Sequence, residues 1–318
     1  MNDSSLHTTT GKWRLGIYLA LTAVVVWGFL PIALSRMLVK MDPVTITWYR
    51  FLVAGIVFGL VSAKRGGFLP LARGGRAVFL LLAVASVCLT ANYLLYIFSL
   101  RYVPPSTAQV LIQLAPMFLL LGSFVAFHER FGHIQWTGLA MLLVGLALFF
   151  DEDILQLFSG GGPVLTGTLL LLGAAAVWGC YALAQKQLLA TLSSTTVMAV
   201  VCLAAAAMLS PLAAPSSAIG LAGAELALLG FLAANTLIAY GSFAESLQHL
   251  EASRVGMVMT LTPVITIAAV TVGARALPSL FRLELLSPLS LLGAALVVSG
   301  SMLGAAGRRQ NRRRTRRS

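Results

Sequence analysis

Ten stretches of mostly apolar residues, separated by short connections rich in glycine, proline or charge, dominate this chain. They cover 15–38, 44–63, 77–100, 104–127, 134–150, 164–187, 194–213, 222–247, 252–273 and 287–306. A helix of about 20 residues crosses the hydrocarbon layer of a bilayer. Charged residues make up 10% of the 318 and hydrophobic ones 58%, against roughly 25% charged in a soluble domain. That is too little polar side chain to coat a water-soluble surface, so the apolar excess faces lipid. The stretches are continuous rather than alternating in runs of about ten, which excludes a membrane β-barrel. The expected fold is an all-α polytopic membrane protein with ten transmembrane helices.

The termini and loops fix an expected orientation. With an even number of spans both ends share a side. That side carries Lys12, Arg14, Lys64, Arg65, Arg73, Arg76, Arg130, Lys186 and Arg254, and also the tail arginines Arg308, Arg309, Arg312, Arg313, Arg314, Arg316 and Arg317. The opposite side carries Arg36, Lys40, Arg101, Arg275 and Arg282. Basic loops stay cytoplasmic, so both termini are expected there and Asp151 to Asp153 outside. The net charge of +12 is concentrated in a tail that follows an apolar segment. It reads as an anchor on anionic lipid rather than a nucleic-acid surface. The run from Leu15 to Leu38 is too long for a signal-peptide core and reads as a retained first helix. Trp13 and Trp136 read as interface aromatics. Cys88, Cys180 and Cys202 lie inside apolar runs without redox or metal spacing.

The chain repeats itself. At a shift of 147 residues Tyr93 meets Tyr240, Ser99 meets Ser246, Ser106 meets Ser253 and Pro116 meets Pro263. At 151, Val26-Trp27-Gly28 meets Val177-Trp178-Gly179. At 155, Glu129 meets Glu284, Gly138 meets Gly293 and Gly145 meets Gly300. The extra residues fit an insertion around Ala274 to Phe281. Each half has five spans, so the second enters the membrane in the opposite sense. Inverted repeats of this kind are the architecture of many secondary transporters, because similar halves can exchange conformations around a central site. The expected segments are a cytoplasmic 1–14, a first repeat at 15–150, an extracytoplasmic linker at 151–163, a second repeat at 164–306 and a basic cytoplasmic tail at 307–318.

Polar side chains at membrane depth face protein or a wet cavity. Helix 4 carries Ser106, Gln109, Gln113 and Pro116 on one face, and helix 3 carries Asn92, Tyr96 and Ser99 on one face. Helix 6 carries Trp178, Tyr181 and Gln185, and helix 8 carries Asn235 and Ser242. Each stripe either lines a cavity or serves as interhelical hydrogen-bond glue, worth roughly 0.6 kcal/mol per bond. Pro116 and Pro263 each remove a backbone bond inside a helix, as hinges or as packing kinks. Arg50 either snorkels to the headgroups, pairs with an acid, or holds an anionic substrate. Glu129, beside His128 and Arg130, reads as a surface pair or cap or as a second charged participant. Glu245 reads as an interfacial partner of Arg254. Trp27 and Trp178 either pack or stack on substrate.

No catalytic constellation, zinc spacing or phosphate-binding loop is present in the sequence, so neither an enzyme nor a cofactor is expected.

Val26-Trp27-Gly28, the stretch from Pro43 through Trp48-Tyr49-Arg50-Phe51, Asn92-Tyr93, Leu114-Ala115-Pro116, the turn at Glu129, and Gly138 with Gly145 together resemble the drug/metabolite transporter superfamily. The resemblance is to its ten-helix EamA-like members, and it covers nearly all of 15–306. Trp178-Gly179 and Thr262-Pro263 repeat it more loosely. Val201 stands where the second half would match Arg50, and Glu284 lies beyond the inserted loop. The resemblance implies two inverted five-helix repeats around a central cavity, cytoplasmic termini, and export or exchange of small polar metabolites, including amino acids, across the inner membrane. The residues expected to line the site are Gln109, Gln113, Asn92, Tyr96, Trp27 and Trp178, with Asn235. A channel, a lipid-handling protein or a transport-inactive membrane partner built on the same bundle is the alternative.

Overall fold

A computed structural model describes residues 12–72, 75–119, 122, 132–149, 162–250, 252–276, 284 and 286–314. Among these the chain is helical, with no strand. The first repeat supplies α1 (Trp13–Met37), α2 (Pro43–Lys64), α3 (Arg76–Ser99), α4 (Pro105–Leu111, continuing as a 3-10 turn at Ile112–Leu114 and as helix over 115–119) and α5 (His133–Phe149). The second supplies α6 (Pro163–Leu188), α7 (Ser194–Leu209), α8 (Gly223–His249), α9 (Ala252–Met259, then Thr262–Ala276) and α10 (Pro288–Arg314). One short helix, Leu69–Ala72, lies between α2 and α3. The seventh span was expected to reach 213, but α7 ends at Leu209 and a 3-10 turn at Pro215–Ala218 follows. The last helix runs past the expected 306 to Arg314.

Local chemistry starts the helices in the same way in both halves. Asp42 caps α2, its carboxylate accepting from the Thr45 amide at 2.9 Å, with Pro43 in the first turn. Ser193 caps α7, accepting from the Thr196 amide at 3.2 Å. These residues stand 151 apart. Each cap satisfies one of the orphan amides of a helix start, an effect worth about 1 kcal/mol.

Packing follows a two-fold rule. The helices that pack most extensively are α5 with α10, α2 with α7, α3 with α6 and α1 with α8. Exchanging the halves maps the first two pairs onto themselves and the last two onto each other. Close approaches obey the same rule. A Cβ at Gly16 would meet Leu250 at 2.6 Å, and one at Gly167 would meet Val103 at 2.6 Å. Gly28 lies against Ile265, as Gly179 does against Phe118. Gly138 is backed by the Gly300 carbonyl, and Gly145 by that of Gly293. Each contact is the image of its partner under the shifts read from the sequence. Small residues let membrane helices approach closely, and here the glycines set the spacing of both halves alike.

Two buried clusters lie between the helices. One gathers Leu34, Met37, Ile46, Ile97, Leu114, Leu171 and Leu232; the other gathers Phe51, Leu89, Tyr181, Leu188, Val197 and Cys202. Trp178 packs against both. Leu60, Leu80, Val87, Leu143 and Val272 are exposed around the perimeter, as lipid-facing positions require. Five helices (α1, α2, α3, α6 and α8) are each long and apolar enough to cross a membrane by themselves. The chain is a polytopic membrane protein of ten transmembrane helices arranged as two inverted five-helix repeats.

Candidate functional site

The centre of the bundle forms where α4 and α9 lose their helical register. Pro116 has no amide to give Ile112, and the Ile112 carbonyl instead accepts from Ala115 in a 3-10 turn. Pro263 has none to give Met259, and the Thr262 hydroxyl donates to that carbonyl at 2.6 Å. A hydroxyl and a tightened turn are two of the ways by which membrane helices tolerate proline. Both breaks fall at the same position of the repeat, and both expected hinge residues sit in them.

The breaks meet. The Gln113 amide donates to the Thr260 carbonyl at 3.2 Å across a sequence separation of 147. One turn away the Tyr96 hydroxyl donates to Gln109 Oε1 at 2.8 Å, joining the polar faces of α3 and α4. Thr266 of α9 donates to the Gly28 carbonyl at 2.7 Å, which ties the second half of α9 to α1. Tyr96 and Gln109 are thus joined across α3 and α4, while Gln113 reaches α9.

Arg50 is deeper than a snorkelling side chain. It lies on the eighth residue of α2, about 10 Å from the helix start, and is 3% exposed. Its guanidinium carbon sits 4.5 Å from the centre of the Tyr93 ring. The headgroup-seeking reading is thus corrected: the side chain turns inward against α3, because Tyr93 offers it a π-face inside the bundle. Among the described residues the titratable groups within electrostatic reach of it are Tyr93, Tyr240, Tyr96 and Cys202, with no carboxylate among them. Its Nε is buried without a hydrogen-bond partner among the described residues. Tyr93 and Tyr240 occupy matching positions of the two repeats and adjoin. Phe51 supports Tyr93 with a centroid distance of 4.5 Å.

The remaining expected residues divide by what they touch. Trp27 meets Tyr240 edge to face at 5.3 Å and Phe243 at 5.9 Å. It therefore joins the tyrosine cluster from α1. Trp178 is half-buried between the two apolar clusters. Asn92 donates to the Ala174 carbonyl of α6 at 2.9 Å, and Asn235 to the Val26 carbonyl of α1 at 2.7 Å. In each half an asparagine of the third helix thus holds the first helix of the other half. Tyr181 donates to Met198 Sδ at 3.3 Å and faces α7. The Ser106 amide donates to Glu284 at 3.3 Å. Burial raises the Glu284 carboxyl above its usual range, an effect partly offset by its bonds to Ser106. Glu245 lies 3.6 Å from the His249 ring. Glu129 and the Arg254 side chain lie outside the described residues.

The sequence reading missed Tyr240, Thr266 and Thr236, which is buried against Tyr93, as members of this centre. Tyr240 was findable, since it stands at the position of Tyr93 in the repeat. The threonines carried no signal, because a hydroxyl in a membrane helix most often bonds its own backbone. Among the described residues no cluster of metal-ligating side chains occurs.

Comparison with known proteins agrees with this architecture. A sequence model of the EamA-like transporter family matches residues 14–151 and 165–304. The chain is 37% identical over 296 residues to the uncharacterized inner membrane transporter YhbE of Escherichia coli (strain K12), covering 93% of this chain and 92% of that protein. It is 26% identical over 311 residues to a probable amino-acid metabolite efflux pump of Salmonella typhimurium, covering 93% and 96%. A probable terminal-alkyne amino-acid exporter of Streptantibioticus cattleyicolor is 27% identical over 260 residues, covering 80% and 81%. A solved crystal structure aligns with a TM-score of 0.62 at 18% identity over 92% of this chain and 97% of its own, and so shares the fold. With the family match spanning both repeats, the chain belongs to the EamA-like transporter family.

Proposed function

We propose that this protein is a secondary transporter, an exporter or exchanger of small polar metabolites such as amino acids, in the inner membrane with both termini cytoplasmic. The observation that carries the reading is the meeting of two interrupted helices at matching positions, through the Gln113 to Thr260 bond. Interrupted helices place backbone carbonyls and polar side chains at mid-membrane only where they line a cavity or a buried path. The names of relatives as amino-acid metabolite efflux pumps and exporters support the substrate class. The expected basic-loop asymmetry supports the orientation.

In this reading Gln109, Gln113 and Tyr96 contact substrate, Trp27 and Trp178 flank it, and Asn92 and Asn235 hold the lining helices in place. The basic tail rests on anionic lipid. The test is counterflow in proteoliposomes loaded with unlabelled amino acids. Saturable uptake of labelled substrate that requires internal substrate is the expected result. If Gln113→Ala and Tyr96→Ala both leave it unchanged, the site lies elsewhere.

A further inference from the structure

We infer that Arg50 is the anchor for a single carboxylate on the transported molecule. The inference rests on the transport reading above and deepens it.

A guanidinium stays charged inside a protein, and a buried charge is costly unless it is paired or hydrogen-bonded. Arg50 is buried, yet among the described residues no carboxylate acts on it and its Nε lacks a partner. The centre of the Tyr93 ring lies 4.5 Å from its guanidinium carbon. A ring face offers the guanidinium no carboxylate-like acceptor, and its N–H groups match a carboxylate bidentately. An anion supplied by a ligand completes the site.

The charge arithmetic selects the ligand class. The other groups acting on Arg50 are phenols and a thiol, which donate hydrogen bonds without adding positive charge. One carboxylate neutralises the site. A dianion such as a phosphate monoester leaves one negative charge unpaired in a low-dielectric surrounding. The site is also single: Val201, fully buried, stands where the second repeat would place a matching arginine. One carboxylate therefore binds per molecule, on the α2 side of the two-fold axis.

The test uses purified full-length protein in detergent. Melting temperatures are measured at constant ionic strength with acetate and with each of the twenty L-amino acids. Acetamide and the corresponding amino-acid amides are run in parallel. Carboxylates are expected to stabilise the wild type and their amides not to. The same carboxylates bind Arg50→Lys about tenfold more weakly and Arg50→Gln at least about thirtyfold more weakly. Phosphate monoesters give no shift. If no carboxylate stabilises the wild type, or amides do so equally, the inference fails. It also fails if Arg50→Lys binds as the wild type does, a comparison that stands even where Arg50→Gln does not fold. Counterflow separates this inference from the transport reading. Transport of carboxylates that ignores both Arg50 variants overturns the anchor and keeps the transporter. Arg50-dependent stabilisation without any counterflow keeps the anchor and overturns transport.

Discussion

Gln113 and Thr260 occupy the same position of the two repeats, and the side chain of the first bonds the backbone of the second at 3.2 Å. A contact between matching positions lies on the pseudo-two-fold axis. When two inverted halves exchange conformations, off-axis contacts are traded for their images, whereas an on-axis contact is remade with its partners reversed. Tyr93 and Tyr240, 147 residues apart, are a second such pair. The axis therefore runs through the polar centre, beside Arg50.

Gln113→Leu keeps the volume and removes the donor at the axis. A buried hydrogen bond is worth about 1 kcal/mol net, so the balance between inward-open and outward-open states should move about fivefold. The measurement is the rate at which single cysteines placed on the α4 and α9 faces are alkylated from each side of a sealed vesicle. Equal rates in variant and wild type would show that this bond does not distinguish the two states.

The glycine contacts between α5 and α10 are tight enough to be tested individually. A Cβ at Gly138 would lie 2.6 Å from the Gly300 carbonyl oxygen, and one at Gly145 2.7 Å from that of Gly293. Backbone on both sides cannot give way as a flexible side chain can. Gly138→Ala and Gly145→Ala should each cost about 1–3 kcal/mol. At Gly230 and Gly241 an added Cβ meets nothing within 4 Å. Alanine there should be neutral or stabilise by up to about 1 kcal/mol through helix propensity. Denaturant unfolding in mixed micelles distinguishes the two groups.

Much of this architecture is legible in sequence because lipid imposes long apolar stretches and duplication leaves a register. The shift of 155 paired Gly138 with Gly293 and Gly145 with Gly300 as equivalent positions, but it could not show that the contacts run crosswise, Gly138 to Gly300 and Gly145 to Gly293. Pro116 and Pro263 marked the breaks, since a missing amide is a backbone property. Arg50 was ambiguous because depth along α2 does not say which way the side chain turns; that is decided by Tyr93 on another helix. Asn92 and Asn235 were equally ambiguous, as their bonding partners are carbonyls of the opposite repeat. Glu284 was visible as the match of Glu129 beyond an inserted loop, but its bond to the Ser106 amide joins it to the other repeat, which no shift registers.

Glu284 should make stability depend on pH. Burial raises its folded-state pKa above the ordinary carboxylate value, with the Ser106 bonds opposing. A group raised in this way favours the folded state most when protonated. Its contribution is fully present below the unfolded pKa of about 4.3 and is lost as pH rises through the folded value. Glu284→Gln is neutral at every pH, so it should lack this decline. Melting temperatures of both proteins between pH 4 and 7 provide the check, and parallel curves would mean that Glu284 titrates normally.

Pro263 separates a hinge from a packing kink. Pro263→Ala restores an amide four residues from the Met259 carbonyl, which now accepts from the Thr262 hydroxyl at 2.6 Å. The restored bond should straighten α9 across the break and compete with that hydroxyl. Helix propensity favours the alanine by about 3 kcal/mol in an unkinked helix, so the variant should fold at least as stably as the wild type. If the break is a working hinge, the same change should slow counterflow severalfold, because the stiffened α9 resists the bend that moves Thr260 relative to Gln113. Pro116→Ala tests the matching break in α4, where the 3-10 turn at Ile112–Leu114 takes up the strain. Transport at the wild-type rate in both variants, with unfolding midpoints unchanged or raised, would assign the prolines to packing alone. A slowed rate with an unchanged or raised midpoint would assign them to the conformational exchange, since a merely damaged bundle would lose both.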